Sequence, residues 1–187
     1  MSSPHRFIRA GGAVAGGLLF AALAACGSRA DLPGGVAPPT QPASVTPPTA
    51  VAPPEPQPSA DGPCPYLDRK VVERINGQRV GAVRVSTDRP HPACFFYRLG
   101  DGAEQLRTWV VVATPAVAGA TVDAAAPVAT SDREDLPGGW TGGSQPTSHG
   151  AVFAVTRQGT AVVVTTNQRY TVGARQIAEQ VIAALDR

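Results

Sequence analysis

The sequence of 187 residues is poor in aromatic side chains, in net charge and in lysine. Phe, Trp and Tyr make up 5% of the residues, so the core must be built largely from Val, Ile, Leu and Ala. The formal net charge of +2 predicts neither the strongly basic surface of a nucleic-acid-binding protein nor a polybasic patch that binds membranes. We therefore expect no nucleic-acid partner.

The familiar catalytic motifs are also missing. There is no Gly-x-Gly-x-x-Gly between a strand and a helix, no phosphate-binding loop, no His-Glu-x-x-His and no nucleophile elbow. His91 and His149 lie in separate loops, and a triad built from Ser131-Asp132 or Ser148-His149 is less favoured than exposed loop residues. Glu134-Asp135 is an isolated acidic pair. The sequence thus predicts no catalytic residues, no metal site and no cofactor.

The N-terminus has the layout of an export signal. His5, Arg6 and Arg9 form a basic start, and residues 10–22 are an uncharged apolar run too short for a comfortable transmembrane helix. The run closes with Leu23-Ala24-Ala25-Cys26, which resembles the lipobox of bacterial lipoprotein precursors. The resemblance implies a diacylglycerol on the Cys26 thiol, cleavage before Cys26, and anchoring by two or three acyl chains. An ordinary secretory signal is the alternative.

A proline-rich stretch follows the lipobox. Residues 27–63 are dominated by Pro, Ala, Thr, Ser and Gly, and include the pairs Pro38-Pro39, Pro47-Pro48 and Pro53-Pro54. Such a composition favours a disordered, polyproline II-like spacer that could reach on the order of 100 Å. A specific proline-rich ligand motif is the alternative. The sequence thus predicts a signal peptide at 1–25, a lipidated cysteine and disordered tether at 26–63, and one domain at 64–187.

The domain contains two cysteines, Cys64 and Cys94. Outside the cytoplasm such a pair favours a structural disulfide, and a redox pair or a metal site is the alternative. No Cys-x-x-Cys and no histidine cluster accompanies them. A disulfide closing a loop of this length stabilises the fold by roughly 3–4 kcal/mol in the chain-entropy model.

Hydrophobic periodicity predicts an α+β fold. We expect a mainly antiparallel sheet of about five strands with helices packed on one face. The pattern places a helix at 65–75, strands at 80–85, 94–97 and 106–113, a short helix up to 126, and a long loop at 127–150. The predicted elements end with strands at 151–156 and 161–166, joined as a hairpin, and a helix from about 171.

The long loop contains the most distinctive segment. Trp140 is surrounded by glycines, and long loops without regular structure are often binding elements. We therefore expect a binding loop there, with the exposed side of the Phe95–Tyr97 strand as a second contact surface. The alternative is that the Trp140 side chain folds back onto the core and the glycines serve the turns. The candidate binding residues are Gly138, Gly139, Trp140, Gly142 and Gly143.

The domain resembles an actinobacterial family of lipoproteins known as domain of unknown function 2020. The segments that carry the resemblance begin at Cys64-Pro65-Tyr66-Leu67 and also include 93–98, 139–143 and 166–168. The resemblance implies a cell-envelope setting and the pairing of Cys64 with Cys94, but it supplies no activity and no catalytic residues.

From these features we expect a lipid-anchored, non-catalytic binding or interaction module on the outer face of the cell membrane. Its expected partners are the membrane, through the lipid on Cys26, and an envelope protein or a small apolar ligand. A carrier of a small apolar or glycan ligand is the alternative, and an envelope hydrolase is less favoured.

Overall fold

The computed structural model describes residues 49–187, which form one eight-stranded sheet and three helices. None of the helices in this part of the chain is long and apolar enough to cross a membrane. The strands are β1 (Ala60–Asp61), β2 (Val80–Val85), β3 (Cys94–Arg98), β4 (Glu104–Val112), β5 (Asp132–Leu136), β6 (Trp140–Thr147), β7 (Gly150–Arg157) and β8 (Thr160–Thr166). The helices are α1 (Arg69–Asn76), α2 (Pro115–Ala125) and α3 (Thr171–Leu185).

Every neighbouring pair of strands in the sheet is antiparallel, in the order β1-β2-β3-β4-β8-β7-β6-β5. The prediction of an α+β fold with an antiparallel sheet is confirmed. The prediction of about five strands is wrong, because the sheet has eight. The three additional strands are β1, from the expected tether, and β5 and β6, from the expected loop.

The helices pack on both faces of the sheet, so the expectation of helices on one face is also wrong. Alternate residues of β8 point to opposite sides: Val162 and Val164 join the core under α1 and α3, whereas Ala161 and Val163 join a second core under α2. We call these sides the α1/α3 face and the α2 face. The continuous run of valines in β8 is typical of a strand that is buried on both faces. In the sequence, a clear alternation of residues between two faces was found only for β2.

The helix ends follow ordinary capping chemistry. The Asp68 side chain accepts a hydrogen bond from the Lys70 backbone N–H at 2.7 Å, and Gly77 ends α1 in the left-handed region at φ 70°. Thr114 caps α2, and Pro115 occupies its first turn, where the missing N–H carries no penalty. These signals explain why the predicted helices fall close to the observed ones.

Residues 49–59, which we call the strap, pack against the domain instead of forming a disordered tether. Ser59 donates its backbone N–H to the Val85 carbonyl at 2.9 Å, β1 pairs with β2, and Pro56 is buried. Residues 49–63 of the predicted tether therefore belong to the folded part, which starts about 15 residues before the predicted boundary at Cys64. The prediction was wrong because a proline-rich composition indicates which backbone conformation a segment prefers. It does not indicate whether the segment packs against the surface of a folded domain.

The hairpin of β5 and β6 replaces the predicted long loop. Gly138 and Gly139 form its turn at φ 81° and 83°, a conformation that favours glycine. The hairpin is tied to α3 by Glu134, whose carboxylate accepts from Ser144 Oγ at 2.7 Å and pairs with Arg175 at 2.7 Å. Charged and glycine-rich strands lack the hydrophobic alternation that sequence patterns detect, so this edge of the sheet was missed.

Candidate functional site

Trp140 is buried at the start of β6, with 1% of its surface exposed, and belongs to the core on the α1/α3 face. The Arg157 guanidinium lies 4.7 Å from the centre of its ring. The prediction that this residue forms part of an exposed binding loop is therefore wrong, and the alternative, an indole folded onto the core, describes its position.

The neighbouring glycines have structural roles. A Cβ at Gly142 would lie 2.0 Å from the Ala154 carbonyl oxygen, and a Cβ at Gly143 would lie 2.4 Å from Ser131 Oγ. Both residues therefore let adjacent chain segments approach closely, while Gly138 and Gly139 serve the turn. Of the five residues predicted as a binding loop, Gly138 and Gly139 are exposed in the turn, but the Trp140 indole expected to contact a partner is buried.

The predicted disulfide is present. Cys64 and Cys94 are bonded, with their Cα atoms 5.6 Å apart, which ties the segment before α1 to the start of β3. Cys26, the predicted lipidation site, lies outside the described residues.

The aromatic strand β3 does not offer the expected exposed side. Phe95 and Phe96 are 1% and 0% exposed, and only Tyr97 is partly accessible. Phe95 faces the same side of the sheet as its cross-strand neighbours Arg84 and Arg107, which is the side crossed by the strap. The prediction missed this burial because it assigned the covering segment to the tether.

A groove of about 250 Å³ opens on the α2 face between α2 and the strap. We call it the Trp109 groove. Trp109, Val163 and Val152 line it from β4, β8 and β7, and Ala124 lines it from α2. Trp109 is partly exposed and the two valines are buried, so the groove combines an accessible indole with an apolar floor.

Arg107 supplies the positive charge of this groove. Its side chain is only 20% exposed, and Nη1 lies 3.1 Å from the carboxylate of Glu55 in the strap, which is 70% exposed. Burial raises the pKa of the nearby Glu104 carboxyl, and the Glu55 charge adds to this while Arg107 opposes it. The largely buried Arg107 guanidinium is thus paired with the Glu55 carboxylate, which remains in contact with water.

Sequence reasoning did not select Arg107, and it assigned Trp109 to the core or the sheet face. The alternation of Arg107, Trp109 and Val111 along a strand contained the signal that an arginine and a tryptophan share one side. What the sequence does not show is that the strap and α2 form the walls of a groove around them.

A buried amide network lies at the opposite side of the sheet, where β8 leads into α3. Asn76 Nδ2 donates to Gln105 Oε1 at 3.0 Å, and Thr166 Oγ1 donates to Asn76 Oδ1 at 2.7 Å. Asn76, Gln105 and Thr166 are 6%, 0% and 3% exposed. Asn167 extends the network, receiving a hydrogen bond from Gln168 Nε2 at 3.0 Å. The 166–168 segment thus joins α1, β4 and β8.

The two histidines lie in different environments. His91 makes an edge-to-face contact with Tyr66, with ring centres 6.2 Å apart. His149 sits in the β6–β7 turn and lines a shallow cavity with Glu104 and Asn167. Within residues 49–187 there is no cluster of three or more His, Cys, Asp or Glu side chains that could hold a metal ion.

Tyr66 is fixed beside the disulfide. Its hydroxyl donates to the Pro92 carbonyl at 2.8 Å and lies 3.2 Å from Thr108 Oγ1. Burial raises the pKa of this phenol well above its usual range, against a smaller opposing effect of the hydrogen bond with Thr108. The ring therefore packs as a neutral group.

The fold and the groove define a disulfide-linked α+β domain with a single antiparallel sheet and a proline-rich strap on the α2 face. A family model described as "Domain of unknown function (DUF2020)" matches residues 48–187. The chain therefore belongs to this family, and the match begins at the strap. No curated protein is significantly similar to the chain.

Proposed function

We propose that the protein is a lipoprotein anchored through Cys26 to the outer face of the cell membrane, and that its domain is a non-catalytic binding module. The Leu23-Ala24-Ala25-Cys26 sequence supports the anchor. The Cys64–Cys94 disulfide supports an extracytoplasmic location, because such bonds persist mainly in oxidising compartments.

The observation that carries the binding role is the Trp109 groove. Its accessible indole offers a large contact area at a small entropic cost, and Arg107 adds a charged group that fixes orientation. The apolar floor of Val152 and Val163 gives a partner surface to bury. The Trp140 segment, where a binding loop was predicted, offers no accessible indole, because Trp140 is buried in the core.

Variants of α2 test this assignment. Ala124 is exposed and lines the groove, so Ala124→Arg should fill the groove without disturbing the core. Ala116 is exposed on the same helix, so Ala116→Arg is a matched control. In native membranes, hydrogen exchange of residues 107–112 should be slower than in the purified protein. This protection should disappear in Ala124→Arg and persist in Ala116→Arg; equal exchange in all samples would contradict the binding role.

The anchor is tested separately by Cys26→Ser. We expect the wild-type chain in the membrane fraction and the variant released from it, because the variant lacks the thiol that receives the diacylglycerol. A variant that stays membrane-bound would contradict lipid anchoring while leaving the groove assignment intact.

A carrier of a small ligand is the second candidate. A partly exposed Trp109 beside the polar side chains of Arg107 and Thr165 suits stacking against a sugar ring or a flat apolar molecule. Delipidated, refolded protein that takes up neither a glycan nor a lipid would argue against the carrier and favour a protein partner.

A further inference from the structure

The sheet ends on two edge strands that differ in how well they are protected. At one edge, β1 has only two residues and is followed by Gly62-Pro63, so it offers little for another strand to pair with. At the other edge, β5 has five residues without proline, and its register with β6 is unbroken. Within residues 49–187, β5 has a neighbouring strand on one side only. Its outer N–H and C=O groups are therefore a template for a further strand.

The side chains of β5 divide between the two faces of the sheet. Leu136 joins the core on the α1/α3 face, and the Glu134 carboxylate pairs there with Arg175 at 2.7 Å. Arg133 and Asp135 alternate with these residues and point to the α2 face, where they are 80% and 57% exposed and pair with each other at 3.0 Å. The open margin of this face thus carries one positive and one negative side chain, separated by a single residue.

This arrangement of charges is complementary to itself. Two copies of a strand that pair antiparallel about a two-fold axis perpendicular to the sheet place residues of the same face opposite each other. The axis must then lie between the two copies of one residue. An axis at Glu134 places Arg133 of each copy opposite Asp135 of the other. An axis at Arg133 or at Asp135 instead places like charges opposite each other, so only the first register is electrostatically favourable.

The Glu134 side chains at this axis do not oppose the pairing. Each carboxylate is 14% exposed and is bonded within its own copy, because it accepts from Ser144 Oγ at 2.7 Å and pairs with Arg175. The two negative charges are therefore compensated before the copies meet. Asp132 lies opposite Leu136 in this register, so the strand brings no further like charges together.

We propose that β5 is a dimerisation edge, where a second copy of this chain pairs in the antiparallel register centred on Glu134 and extends the sheet. Because the two-fold axis is perpendicular to the sheet, the α2 faces of both copies lie on the same side. Two Trp109 grooves are then presented together, which favours a partner that carries repeated units. The dimer itself does not depend on what the Trp109 groove binds.

Charge exchange between two variants tests this register. The dimer is expected to be weak, since five paired residues bury little surface, and its fraction should rise with concentration in native mass spectrometry of the full-length chain. Arg133→Asp alone and Asp135→Arg alone each place like charges opposite each other twice, and each should weaken the dimer by about tenfold or more. In an equal mixture, the two variants should form heterodimers at least as readily as wild type dimerises, because every aspartate then faces an arginine.

Asp132→Arg is the matched control for Asp135→Arg. It makes the same change of charge and mass on an exposed residue of the same strand, but at a position that faces Leu136. Mixed with Arg133→Asp, it should give fewer heterodimers than Asp135→Arg gives, because one pair of aspartates then remains opposed. Near-ultraviolet circular dichroism of the buried Trp140 checks that each variant is folded.

Four results would overturn the proposal. A wild-type chain that stays monomeric at every soluble concentration would show that β5 does not pair with itself. Dimers that survive unchanged in both single variants would place the contact elsewhere. Heterodimers that form equally well with Asp132→Arg and Asp135→Arg would show that net charge and not register drives association. Slow hydrogen exchange of residues 132–136 in native membranes that persists in Arg133→Asp would place a different protein on this edge.

Discussion

Replacing Asn76 with alanine should destabilise the domain by about 2–4 kcal/mol. Asn76 Nδ2 donates to the carbonyl and side-chain oxygens of Gln105 at 3.3 and 3.0 Å and to Asn167 Oδ1 at 3.3 Å, while Asn76 Oδ1 accepts from Thr166. Removing this side chain leaves the fully buried Gln105 amide and the Thr166 hydroxyl without their best partners.

The magnitude follows from two atoms: Gln105 Oε1 loses its hydrogen bond from Asn76, and the Thr166 hydroxyl keeps, as a donor, only the longer bond to the Gln105 carbonyl at 3.3 Å. Each buried polar group that loses its hydrogen bond costs about 1–3 kcal/mol. Alanine is a better helix former than asparagine by up to about 0.7 kcal/mol, which offsets a small part of the loss at the end of α1. Since a domain of this size is stable by only about 5–15 kcal/mol, the effect is large and measurable.

Urea unfolding, followed by the fluorescence of the buried Trp140, measures the change in the free energy of unfolding. Gln78→Ala is the control, because Gln78 is half-buried at the edge of the network and accepts one hydrogen bond there, from Asn167 at 3.0 Å. A loss of at most about 1 kcal/mol is expected there, which is the typical net contribution of a single hydrogen bond. An Asn76→Ala loss equally small would refute the view that the network stabilises the junction of α1, β4 and β8.

The Asn76→Asp variant tests the same hydrogen-bond network through the pH dependence of stability. An oxygen in place of Nδ2 would face the acceptor oxygens of Gln105 and Asn167. The charged form is therefore disfavoured, and the pKa of the introduced carboxyl should rise above its ordinary value of about 3.9. With a raised folded-state pKa, stability is retained below about pH 4 and is lost as pH increases. A pH-independent stability difference from wild type would contradict the assigned orientation of the Asn76 amide.

Three further predictions concern other parts of the fold. Because burial raises the pKa of Tyr66, the free energy of unfolding should fall as pH rises above about 10, where tyrosine ionises in the unfolded chain. In urea titrations at alkaline pH, Tyr66→Phe should remove this dependence. An unchanged dependence of stability on pH in the variant would contradict the prediction. The Cys64→Ala/Cys94→Ala variant should lose roughly 3–4 kcal/mol in urea unfolding, as the chain-entropy model gives for a separation of 30 residues, and a loss below about 1 kcal/mol would refute this. Gly142→Ala should lower the melting temperature sharply, because its Cβ would meet the Ala154 carbonyl oxygen. Gly119→Ala, whose Cβ would have open space on α2, should instead raise the free energy of unfolding by up to about 1 kcal/mol. Equal effects of the two variants would contradict the close approach of β6 and β7.

The parts of the fold that the sequence predicted are those with strong local signals. Gly77 ends α1, Thr114-Pro115 starts α2, and the Gln158-Gly159 turn joins β7 to β8, with Gln158 at φ 55°. Each of these features depends on neighbouring residues alone. The start of α1 was predicted four residues too early, at residue 65, because Asp68 was assigned to the helix and not to its cap. The Cys64–Cys94 bond joins residues 30 apart, and it could be predicted because these are the two cysteines of the predicted domain.

The parts that were missed depend on contacts between distant segments. The strap is stabilised by Glu55 meeting Arg107, 52 residues later, and by the pairing of β1 with β2. The β5 strand is held by Glu134 meeting Arg175, 41 residues later. Composition cannot report such contacts, and therefore a proline-rich segment and a charged, glycine-rich segment were assigned to irregular structure.

The candidate site was missed for a related physical reason. A tryptophan among glycines looks accessible in sequence, yet the glycines let β6 pack closely and Trp140 enter the core. Trp109, in a valine-rich strand, looks buried, yet the space between the strap and α2 leaves it partly open. Exposure of an aromatic side chain is decided by what covers it, and in both cases the covering segment is distant in sequence.

Native mass spectrometry of the protein, extracted gently from its own envelope, tests the account of an anchored binding module most directly. We expect a chain that begins at Cys26, carries a diacylglycerol, and retains a non-covalently bound partner whose mass is lost in Ala124→Arg and kept in Ala116→Arg. A chain without lipid, or a retained mass that is the same in wild type and Ala124→Arg, would contradict it.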